Sequence, residues 1–531
     1  MAGALLAIAA SFGSNVGRGA VFWNPDGAGG TYRNPVLFAD YSDPDAIRVG
    51  EHSYLVSSSF SSVPALPVLR SRDLVSWRIV AHVAARLPAP TFDTPQHGKG
   101  VWAPSLRHHG GRFWLYYGDP DLGIFMSTAE RAEGPWEPLS LVRAARGWID
   151  PCPLFDDDGS VWLVHAWAKS RAGFNGVLTL RRLSADGRRI VGEGRTVFEG
   201  GTRHPTIEGP KLYKRDGWYY IFAPAGGVPT GWQVVLRSRH VLGPYEDRVV
   251  LAQGTTDVNG PHQGAWVETA GGCSWFLHFQ DRGAWGRVTH LQPMTWKSGW
   301  PVVGRDPDGD GTGEPVVSWT KPRVEGVVDV ETPATSDEFE GPDLGLQWQW
   351  PANPRDAWWS LAERRGSLRL RALPAPGPRA TLWDAPHLLL QKLTGPAFTA
   401  TTSIDLDASA PGTRAGLVVM GRDYASLALE TTAGGTRAVV VVCRNADAGG
   451  LEAEMASLPL ESPAAELRLS VDEGAFGRFS FSRDGRRFEP LGEAFGVRGG
   501  VWVGARAGLF AISPTGETRP AHADFDWFRV K

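Results

Sequence analysis

Cysteine is scarce in this chain, whose 531 residues include only Cys152, Cys273 and Cys443, with no CxxC pair. An odd number without framework spacing excludes a scaffold held together by disulfides. The sequence also lacks an apolar run long enough to span a bilayer and, almost everywhere, helical periodicity. These absences predict an all-β protein without a membrane span. The net charge of −3 favours neither nucleic acid nor an anionic membrane as a partner.

Glycine, proline and tryptophan are plentiful instead, with 65, 40 and 23 residues. Glycine and proline fit a fold of many short strands joined by turns. Tryptophan in such number either packs between sheets or faces a ligand. The length exceeds what one hydrophobic core usually supports, so we expect two domains.

One sequence pattern occurs five times in the first 325 residues: a short segment carrying Asp, Glu, His or Trp, a turn containing glycine, and an aromatic strand. The copies start at Ser42, Val101, Ile149, Ile207 and Pro261, at spacings of 59, 48, 58 and 54 residues. This is the spacing of propeller blades. The pattern therefore predicts a five-bladed β-propeller whose inner strands line one central channel.

The repeats end near residue 304, and the sequence then changes character. Residues 1–30 are predicted as an N-terminal leader or extension, 31–325 as the propeller, 326–335 as a linker and 336–531 as a second domain. Segments such as SLRLRAL and AELRLSVD alternate apolar and polar residues between turns. This alternation indicates an antiparallel β-sandwich.

Two further segments each allow two interpretations. The start, MAGALLAIAAS, is apolar with an Ala-x-Ala ending but no basic residue, so it is either a weak export signal or a disordered terminus. The first alternative implies a periplasmic or secreted protein, and the second leaves a cytoplasmic one open. Residues 306–314, DPDGDGTGE, resemble a calcium loop but have Val317 at the twelfth position, which favours a solvated acidic turn over a metal site.

Three carboxylates stand at the starts of the first, third and fourth repeats. If the repeats are in register, Asp43, Trp102, Asp150, Glu208 and His262 converge on one end of the channel. Any one carboxylate alone would be a turn residue or an exposed charge. Carboxylates close together repel one another, so at least one should stay protonated near neutral pH and leave an acid and a base in one pocket. Glycoside cleavage requires that pair.

The motifs around these residues carry a family resemblance. They are NPVL from Asn34, SDPD from Ser42, WAP from Trp102, IDP from Ile149, DDDG from Asp156 and EGP from Glu208. Together they resemble glycoside hydrolase family 43, whose members are five-bladed propellers that remove xylose or arabinose with inversion. The resemblance implies that Asp43 is the general base, that Glu208 is the general acid, and that Asp150 orients Glu208 and adjusts its pKa.

The same resemblance implies further roles in the pocket. His262 resembles the histidine at the propeller centre that accompanies a calcium ion, and Arg287 resembles the arginine that contacts sugar hydroxyls and the acid. Trp102 would offer the sugar an apolar face. Phe60 would add to the substrate-binding wall, but the small residues that follow it, SSVP, leave the sugar preference open.

The second domain resembles the concanavalin-like sandwich, a jelly roll, that follows the propeller in family members described as β-xylosidases. In those proteins a sandwich loop can close one side of the pocket and enforce exo action. Glu338 and Asp526 lie near the beginning and the end of this domain. They are either ligands of a shared structural calcium ion or surface carboxylates.

The resulting expectation is an inverting, exo-acting glycoside hydrolase. Its substrates would be plant cell-wall xylo- or arabino-oligosaccharides, from which it would release terminal β-D-xylose, α-L-arabinofuranose or both. Two alternatives stand beside it: a carbohydrate-binding propeller without catalysis, and a propeller scaffold for protein partners. The sequence makes no prediction of the oligomeric state.

Overall fold

A computed structural model of the protein describes residues 23–326, 328–377, 379–407 and 410–531. The apolar N-terminal run lies outside the described residues. The prediction of an all-β fold is confirmed, because the helices within the described ranges are single turns. They are α1 (Lys169–Ala172) and the 3-10 turns Ala28–Gly30, Pro90–Asp93, Gly283–Trp285, Asp356–Trp358 and Ala446–Ala448. No described helix is long and apolar enough to cross a membrane.

The N-terminal domain is the predicted five-bladed propeller. After β1 (Thr31–Arg33), each blade is a four-stranded antiparallel sheet. Blade by blade, the strands are β2 (Asp45–Val49), β3 (His52–Val56), β4 (Ala65–Ser71), β5 (Arg78–Ala84); β6 (Trp102–His109), β7 (Arg112–Asp119), β8 (Gly123–Ala129), β9 (Ser140–Ala144); β10 (Trp148–Phe155), β11 (Val161–Trp167), β12 (Val177–Leu183), β13 (Ile190–Glu199); β14 (Lys211–Arg215), β15 (Trp218–Ala225), β16 (Trp232–Ser238), β17 (Glu246–Leu251); and β18 (His262–Glu268), β19 (Ser274–Asp281), β20 (Arg287–Lys297), β21 (Trp300–Val303).

The chain segment before blade one closes the ring. β18 of the last blade packs beside β2 of the first. Leu37 exchanges backbone hydrogen bonds with Thr289 of β20, and the Asn34 amide donates to the carbonyls of Leu291 and Val316 at 2.8 Å each. β22 (Ser318–Thr320) returns from the end of the propeller and pairs with β1. The first and last parts of the propeller are therefore joined by hydrogen bonds.

The entry to each inner strand has an unusual backbone conformation. At Asp43, Ala103, Asp150, Gly209 and Gln263, φ is 53°, 34°, 57°, 56° and 31°. Four of these residues are not glycine, and residues with side chains rarely adopt this left-handed region. The five positions therefore share one structural register.

This register corrects part of the sequence alignment. Trp102, Glu208 and His262 each lie one residue before the position that is equivalent to Asp43. The residues equivalent to Asp43 in these blades are therefore Ala103, Gly209 and Gln263. The sequence alignment misses them by one residue because it compares side-chain chemistry and not backbone conformation.

The C-terminal domain is the predicted β-sandwich, and all of its described strand pairs except one are antiparallel. Its strands are β23 (Trp359–Ser360), β24 (Leu368–Arg371), β25 (Leu373–Pro374), β26 (Leu389–Lys392), β27 (Phe398–Asp407), β28 (Arg414–Met420), β29 (Tyr424–Thr432), β30 (Gly435–Cys443), β31 (Glu452–Leu460), β32 (Ala464–Val471), β33 (Phe476–Ser482), β34 (Glu489–Pro490), β35 (Phe495–Gly496), β36 (Arg506–Ser513) and β37 (His522–Val530). One sheet has the order β23-β24-β37-β27-β32-β33-β34, and the other has the order β25-β36-β28-β29-β30-β31. In addition, β35 pairs with β33 and β26 with β36.

The two domains share a hydrophobic core. Phe38, Trp285 and Val288 of the propeller belong to the same buried cluster as the sandwich interior. Val63 and Trp350 exchange backbone hydrogen bonds across the interface. Removing apolar surface from water stabilises such an interface, and a hydrophobic interface restricts relative domain motion. The sandwich is therefore held in a fixed position against the propeller.

Candidate active site

A cavity of about 110 Å³ lies at the end of the propeller channel where the inner strands begin. All six residues predicted to be catalytic or to bind substrate line it. The lining residues are Asp43, Phe60, Trp102, Ala103, Ile149, Asp150, Glu208, Val228, Gln263, Arg287 and Trp502. The structure thus brings together side chains from the propeller and from the sandwich.

Asp43 is buried and held by two donors. Its Oδ1 accepts from Arg287 Nη1 at 2.9 Å, and its Oδ2 accepts from the Ser58 hydroxyl at 2.5 Å. The same Ser58 oxygen accepts from the Ala103 N–H at 2.8 Å. Arg287 is itself fixed, because its backbone N–H donates to Asp40 Oδ1 at 3.0 Å. These contacts stabilise the negative charge of Asp43 and fix the direction of its carboxylate.

Asp150 and Glu208 form a coupled acidic pair. Asp150 Oδ2 accepts from the N–H of Gly209, the residue after Glu208, at 2.8 Å. Burial raises the pKa of Asp150 above its usual range, and the negative charge of Asp43 raises it further. Burial also raises the pKa of Glu208, and the charges of Asp150 and Asp43 add to the effect. The pair therefore retains a proton at pH values where an ordinary carboxyl has lost it.

The cavity has aromatic walls from both domains. The Trp102 ring centroid lies 6.4 Å from that of Phe60 and 6.5 Å from that of Trp502. The Trp102 indole N–H donates to the Gly98 carbonyl at 3.0 Å, which fixes the ring. Trp502 comes from the sandwich loop between β35 and β36 and is 54% exposed. The apolar face of a sugar would find flat surfaces on these sides.

His262 is fully buried and does not line the cavity, and neither ring nitrogen has a hydrogen-bond partner among the described residues. Its Nε2 lies 3.6 Å from Glu208 Oε1. Burial lowers the pKa of His262 to about 3, and the positive charge of Arg287 adds to this effect. The imidazole is therefore neutral, which is the form that binds a metal ion.

The acidic turn after the last blade strand holds its carboxylates close together. Within the described ranges, Asp306, Asp308 and Asp310 are the one group of three or more His, Cys, Asp or Glu ligands placed closely enough for a metal ion. Asp306 accepts from the N–H groups of Gly309 and Gly311, at 2.9 and 3.2 Å. The turn is largely exposed, as expected for solvated carboxylates.

Glu338 and Asp526 of the sandwich have separate partners. Both Glu338 oxygens accept from Arg529, at 2.8 and 2.7 Å. Asp526 accepts from the hydroxyls of Ser367 and Ser403, at 3.0 and 3.1 Å. In the part of the chain that the structure describes, no group of three potential ligands includes either carboxylate. Each carboxylate thus has its own partners, and the shared calcium ion stays a prediction.

Sequence patterns did not indicate several residues of this site. Trp502 belongs to no repeat, and its place in the cavity depends on how the two domains pack. Ser58 and Asp40 look like ordinary loop residues, yet they hold Asp43 and Arg287. Gln263 could have been found from the sequence, because it directly follows His262 of the repeat and occupies the position that is equivalent to Asp43.

A five-bladed propeller that gathers three carboxylates and aromatic walls around one cavity is the arrangement of a glycoside hydrolase. Comparison with known families agrees with this class. The chain belongs to glycosyl hydrolases family 43, whose model matches residues 32–301. The beta xylosidase C-terminal concanavalin A-like domain matches residues 336–531. The predicted family and both domain types are thereby confirmed.

Relatives match over nearly the whole chain. A protein of Xylanibacter ruminicola is 41% identical over 92% of this chain and 87% of its own length. The beta-xylosidase of Formosa agariphila is 32% identical over 95% of this chain and 91% of its own. The non-reducing end alpha-L-arabinofuranosidase BoGH43B of Bacteroides ovatus is 29% identical over 94% of each.

Solved structures agree with the sequence relatives. The crystal structure of xylan beta-1,4-xylosidase from Bacillus halodurans C-125 aligns with a TM-score of 0.84 at 26% identity, covering 94% of this chain and 99% of that one. The chain is thus an exo-acting glycoside hydrolase. A propeller that only binds carbohydrate is not favoured.

Proposed function

We propose that the protein releases single terminal pentoses, β-D-xylose or α-L-arabinofuranose, from plant cell-wall oligosaccharides with inversion of configuration. The observation that carries this proposal is the contrast within one cavity. Asp43 is paired with Arg287 and Ser58, which stabilise its charge. Glu208 has its pKa raised by burial and by neighbouring carboxylates, so it keeps a proton. A base and an acid are thus available together.

The proposed reaction uses each group once. Asp43 accepts a proton from a water molecule, whose oxygen bonds to the anomeric carbon. The bond from that carbon to the departing oxygen breaks, and this oxygen takes the proton of Glu208. The water attacks the face opposite the departing oxygen, so the configuration at the anomeric carbon inverts. Asp43 then loses its proton to solvent, and Glu208 takes up a proton from solvent, which restores both groups.

Asp150 and Arg287 act on the reacting groups. Asp150 is tied to the backbone next to Glu208, and its charge helps to keep Glu208 protonated. Arg287 pairs with Asp43 and lines the cavity, so its remaining N–H groups are available to sugar hydroxyls. These contacts support the roles that the family resemblance implies for the two residues.

The cavity favours a single terminal sugar. Phe60, Trp102 and Trp502 form walls around the carboxylates, and Trp502 closes the side that the sandwich faces. The relatives carry the names of both a β-xylosidase and an α-L-arabinofuranosidase. The aromatic walls and hydroxyl-binding groups suit either pentose, so activity toward both is proposed.

We also propose that His262 accompanies a calcium ion. Its neutral imidazole has no hydrogen-bond partner among the described residues, so the ring nitrogen that carries no proton fits a ligand role. Ca²⁺ prefers oxygen ligands, and no group of three His, Cys, Asp or Glu ligands within the described ranges includes His262. Water molecules would therefore complete the shell. The ion would supply positive charge next to the carboxylates of the cavity.

The proposed substrates have a consequence for location. Plant cell-wall oligosaccharides are met outside the cytoplasm or after uptake, so we propose a periplasmic or secreted enzyme, with a cytoplasmic one as the alternative. Cell fractionation with an antibody to the protein, set against a cytoplasmic and a periplasmic marker enzyme, distinguishes the two.

A screen of nitrophenyl glycosides tests the proposed function. The wild-type protein should hydrolyse the β-D-xyloside, the α-L-arabinofuranoside or both, and Asp43→Ala should lose about 100-fold or more of that rate. Addition of a chelator should reduce the rate if calcium is bound near His262. Wild-type rates in both Asp43→Ala and Glu208→Ala would contradict the assigned roles. Turnover of hexosides alone would contradict the pentose preference.

A further inference from the structure

A second cleft lies on the sandwich domain, apart from the active-site cavity. It has a volume of about 850 Å³, which is in the range of ligand pockets. It is lined by residues 340–342 and by seven of the residues between 356 and 366. The cleft shares no lining residue with the cavity that holds Asp43 and Glu208. It is therefore a separate concave surface.

Trp359 forms a rigid wall of this cleft. It is partly buried, packs against the sandwich core and also lines the cleft. Its ring centroid lies 6.5 Å from that of the buried Trp350. Its backbone pairs with Leu370 of β24. The indole is thus held in place before any ligand arrives, which lowers the entropy lost on binding.

The charged residues of the cleft have no side-chain partner among the residues that the structure describes. Glu340, Asp356 and Arg365 line it and are exposed. None of the three makes a side-chain hydrogen bond or an ion pair with any residue that the structure describes. Their charges therefore remain available to a ligand.

The neighbouring charges behave differently. Arg364 pairs with Asp405 and Asp524, and Arg369 pairs with Glu363 and Asp524. These side chains lie close in sequence or in space to the cleft residues, but they form ion pairs with one another. The cleft therefore lies next to a network of paired charges, and its own three charged side chains stay outside that network.

The chemistry of the cleft favours a neutral sugar. An indole face packs against the C–H surface of a sugar ring. Carboxylates accept hydrogen bonds from hydroxyls, and a guanidinium donates to them. Two carboxylates against one guanidinium disfavour an anion. No group of three potential metal ligands occurs here among the described residues, which disfavours a cation site.

We propose that this cleft binds a short stretch of a neutral xylan or arabinoxylan chain, with a sugar ring against Trp359 and its hydroxyls on Asp356 and Arg365. The choice of glycan rests on the proposed function. The site would keep the enzyme on the polysaccharide while the active-site cavity removes terminal sugars. It acts on binding alone and takes no part in the bond cleavage.

Affinity electrophoresis of the full-length protein in native gels containing soluble arabinoxylan tests the proposal. Trp359→Ala should weaken the association constant about tenfold, as expected for loss of an aromatic contact. Arg365→Ala, at an exposed position that does not contribute to the core, should weaken it as well. Trp319→Ala, which removes a tryptophan that is 40% exposed on β22, is the matched control and should bind like the wild type.

Hydrolysis of nitrophenyl pentosides by the same variants separates this site from the active site. All three variants should keep the wild-type rate on these small substrates. Wild-type retardation of both Trp359→Ala and Arg365→Ala would overturn the proposal, as would equal weakening by Trp319→Ala. If no pentoside is hydrolysed but Arg365→Ala still weakens retardation, the proposed function fails while the binding site stands.

Gels that contain β-glucan in place of arabinoxylan test the choice of glycan. The wild-type protein should show little retardation in them. Equal retardation by the two polysaccharides would overturn the assignment of the cleft to xylan or arabinoxylan.

Discussion

Glu208 can act as an acid only if it keeps a proton near neutral pH, and its surroundings provide for this. Burial raises its pKa, and the charges of Asp150 and Asp43 raise it further. Arg287 opposes this effect from the same cavity. Since Arg287 is bonded to Asp43, its charge stabilises the base more directly than it acidifies the acid. The cavity thereby keeps Glu208 protonated beside an aspartate that is paired with an arginine.

The pH profile should report the influence of Asp150 on Glu208. The reaction needs Glu208 protonated, so activity falls as pH rises through the apparent pKa of the pair. Asp150→Asn removes a negative charge that raises this pKa. The basic limb of kcat/KM against pH should therefore move to lower pH, by roughly 1 to 2 pH units. Asp216→Asn, at a turn residue with a similar φ of 50°, is the control and should leave the limb in place.

If the basic limb of Asp150→Asn stays at its wild-type position, the charge of Asp150 does not determine the apparent pKa of the acid. A fall in rate at every pH, without movement of the limb, would leave Asp150 a role in positioning Glu208 only.

At the scale of elements, the starts of the inner strands and one sandwich loop build the site. Each inner strand begins within two residues of a residue in the left-handed region, and four of the five blades place the residue at this position in the lining of the cavity. The loop between β35 and β36 carries Trp502 to the same cavity. It packs so closely on the propeller that a Cβ at Gly504 would lie 2.7 Å from the Gly286 nitrogen.

Gly209 should be intolerant of a side chain. Its φ is 56°, and a Cβ there would lie 2.6 Å from the Gln263 side chain. Gly209→Ala should displace Glu208 and Gln263 and lower kcat by about tenfold or more, since small misplacements of a reacting group have large effects. Gly217→Ala, at a turn glycine with φ of 71° outside the cavity, is the control for backbone strain. Equal kcat values for the two variants would contradict this account.

Trp502 should matter for substrate binding and not for folding. It is 54% exposed, so Trp502→Ala should leave the melting temperature nearly unchanged. Loss of one aromatic wall should raise KM for a nitrophenyl pentoside by about tenfold. It should also admit longer branched substrates that the closed cavity excludes. Thermal melts check the first expectation, and steady-state kinetics on a nitrophenyl pentoside and on a branched oligosaccharide check the other two. An unchanged KM would place the sugar away from the sandwich.

At the scale of the whole molecule, the propeller and the sandwich form one structural unit. Trp285 packs in the core cluster that includes the sandwich interior, and its ring centroid lies 6.3 Å from that of Phe398. This packing explains why a loop of the second domain can form a wall of the active site. A loosely tethered domain would not hold Trp502 in place.

The protein should therefore unfold in one calorimetric transition. Trp285→Ala removes a large buried side chain and should cost about 3 to 5 kcal/mol of stability. Its transition should move to lower temperature as a whole or split as the domains separate. Leu141→Ala, at a residue that is 49% exposed on blade two, should have little effect. Two well-separated transitions in the wild type would contradict a shared core.

Much of this architecture could be predicted from the sequence, for identifiable reasons. The aromatic hairpins recur at blade spacing, and Asp43, Asp150 and Glu208 stand beside proline or glycine in each copy. Trp502 could not be predicted, because its position depends on packing between domains. The one-residue offset of Glu208 could not be seen either, because backbone conformation does not follow from residue type alone.

The dependence of the Glu208→Ala rate on the leaving group tests whether Glu208 is the general acid. The dinitrophenolate group of a dinitrophenyl pentoside departs without protonation, whereas the sugar leaving group of the corresponding pentose disaccharide needs a proton from an acid. Glu208→Ala should lose at least about 100-fold of kcat/KM on the disaccharide and far less on the dinitrophenyl substrate. Equal losses on the two substrates, or no loss on the disaccharide, would contradict the assignment of Glu208 as the general acid.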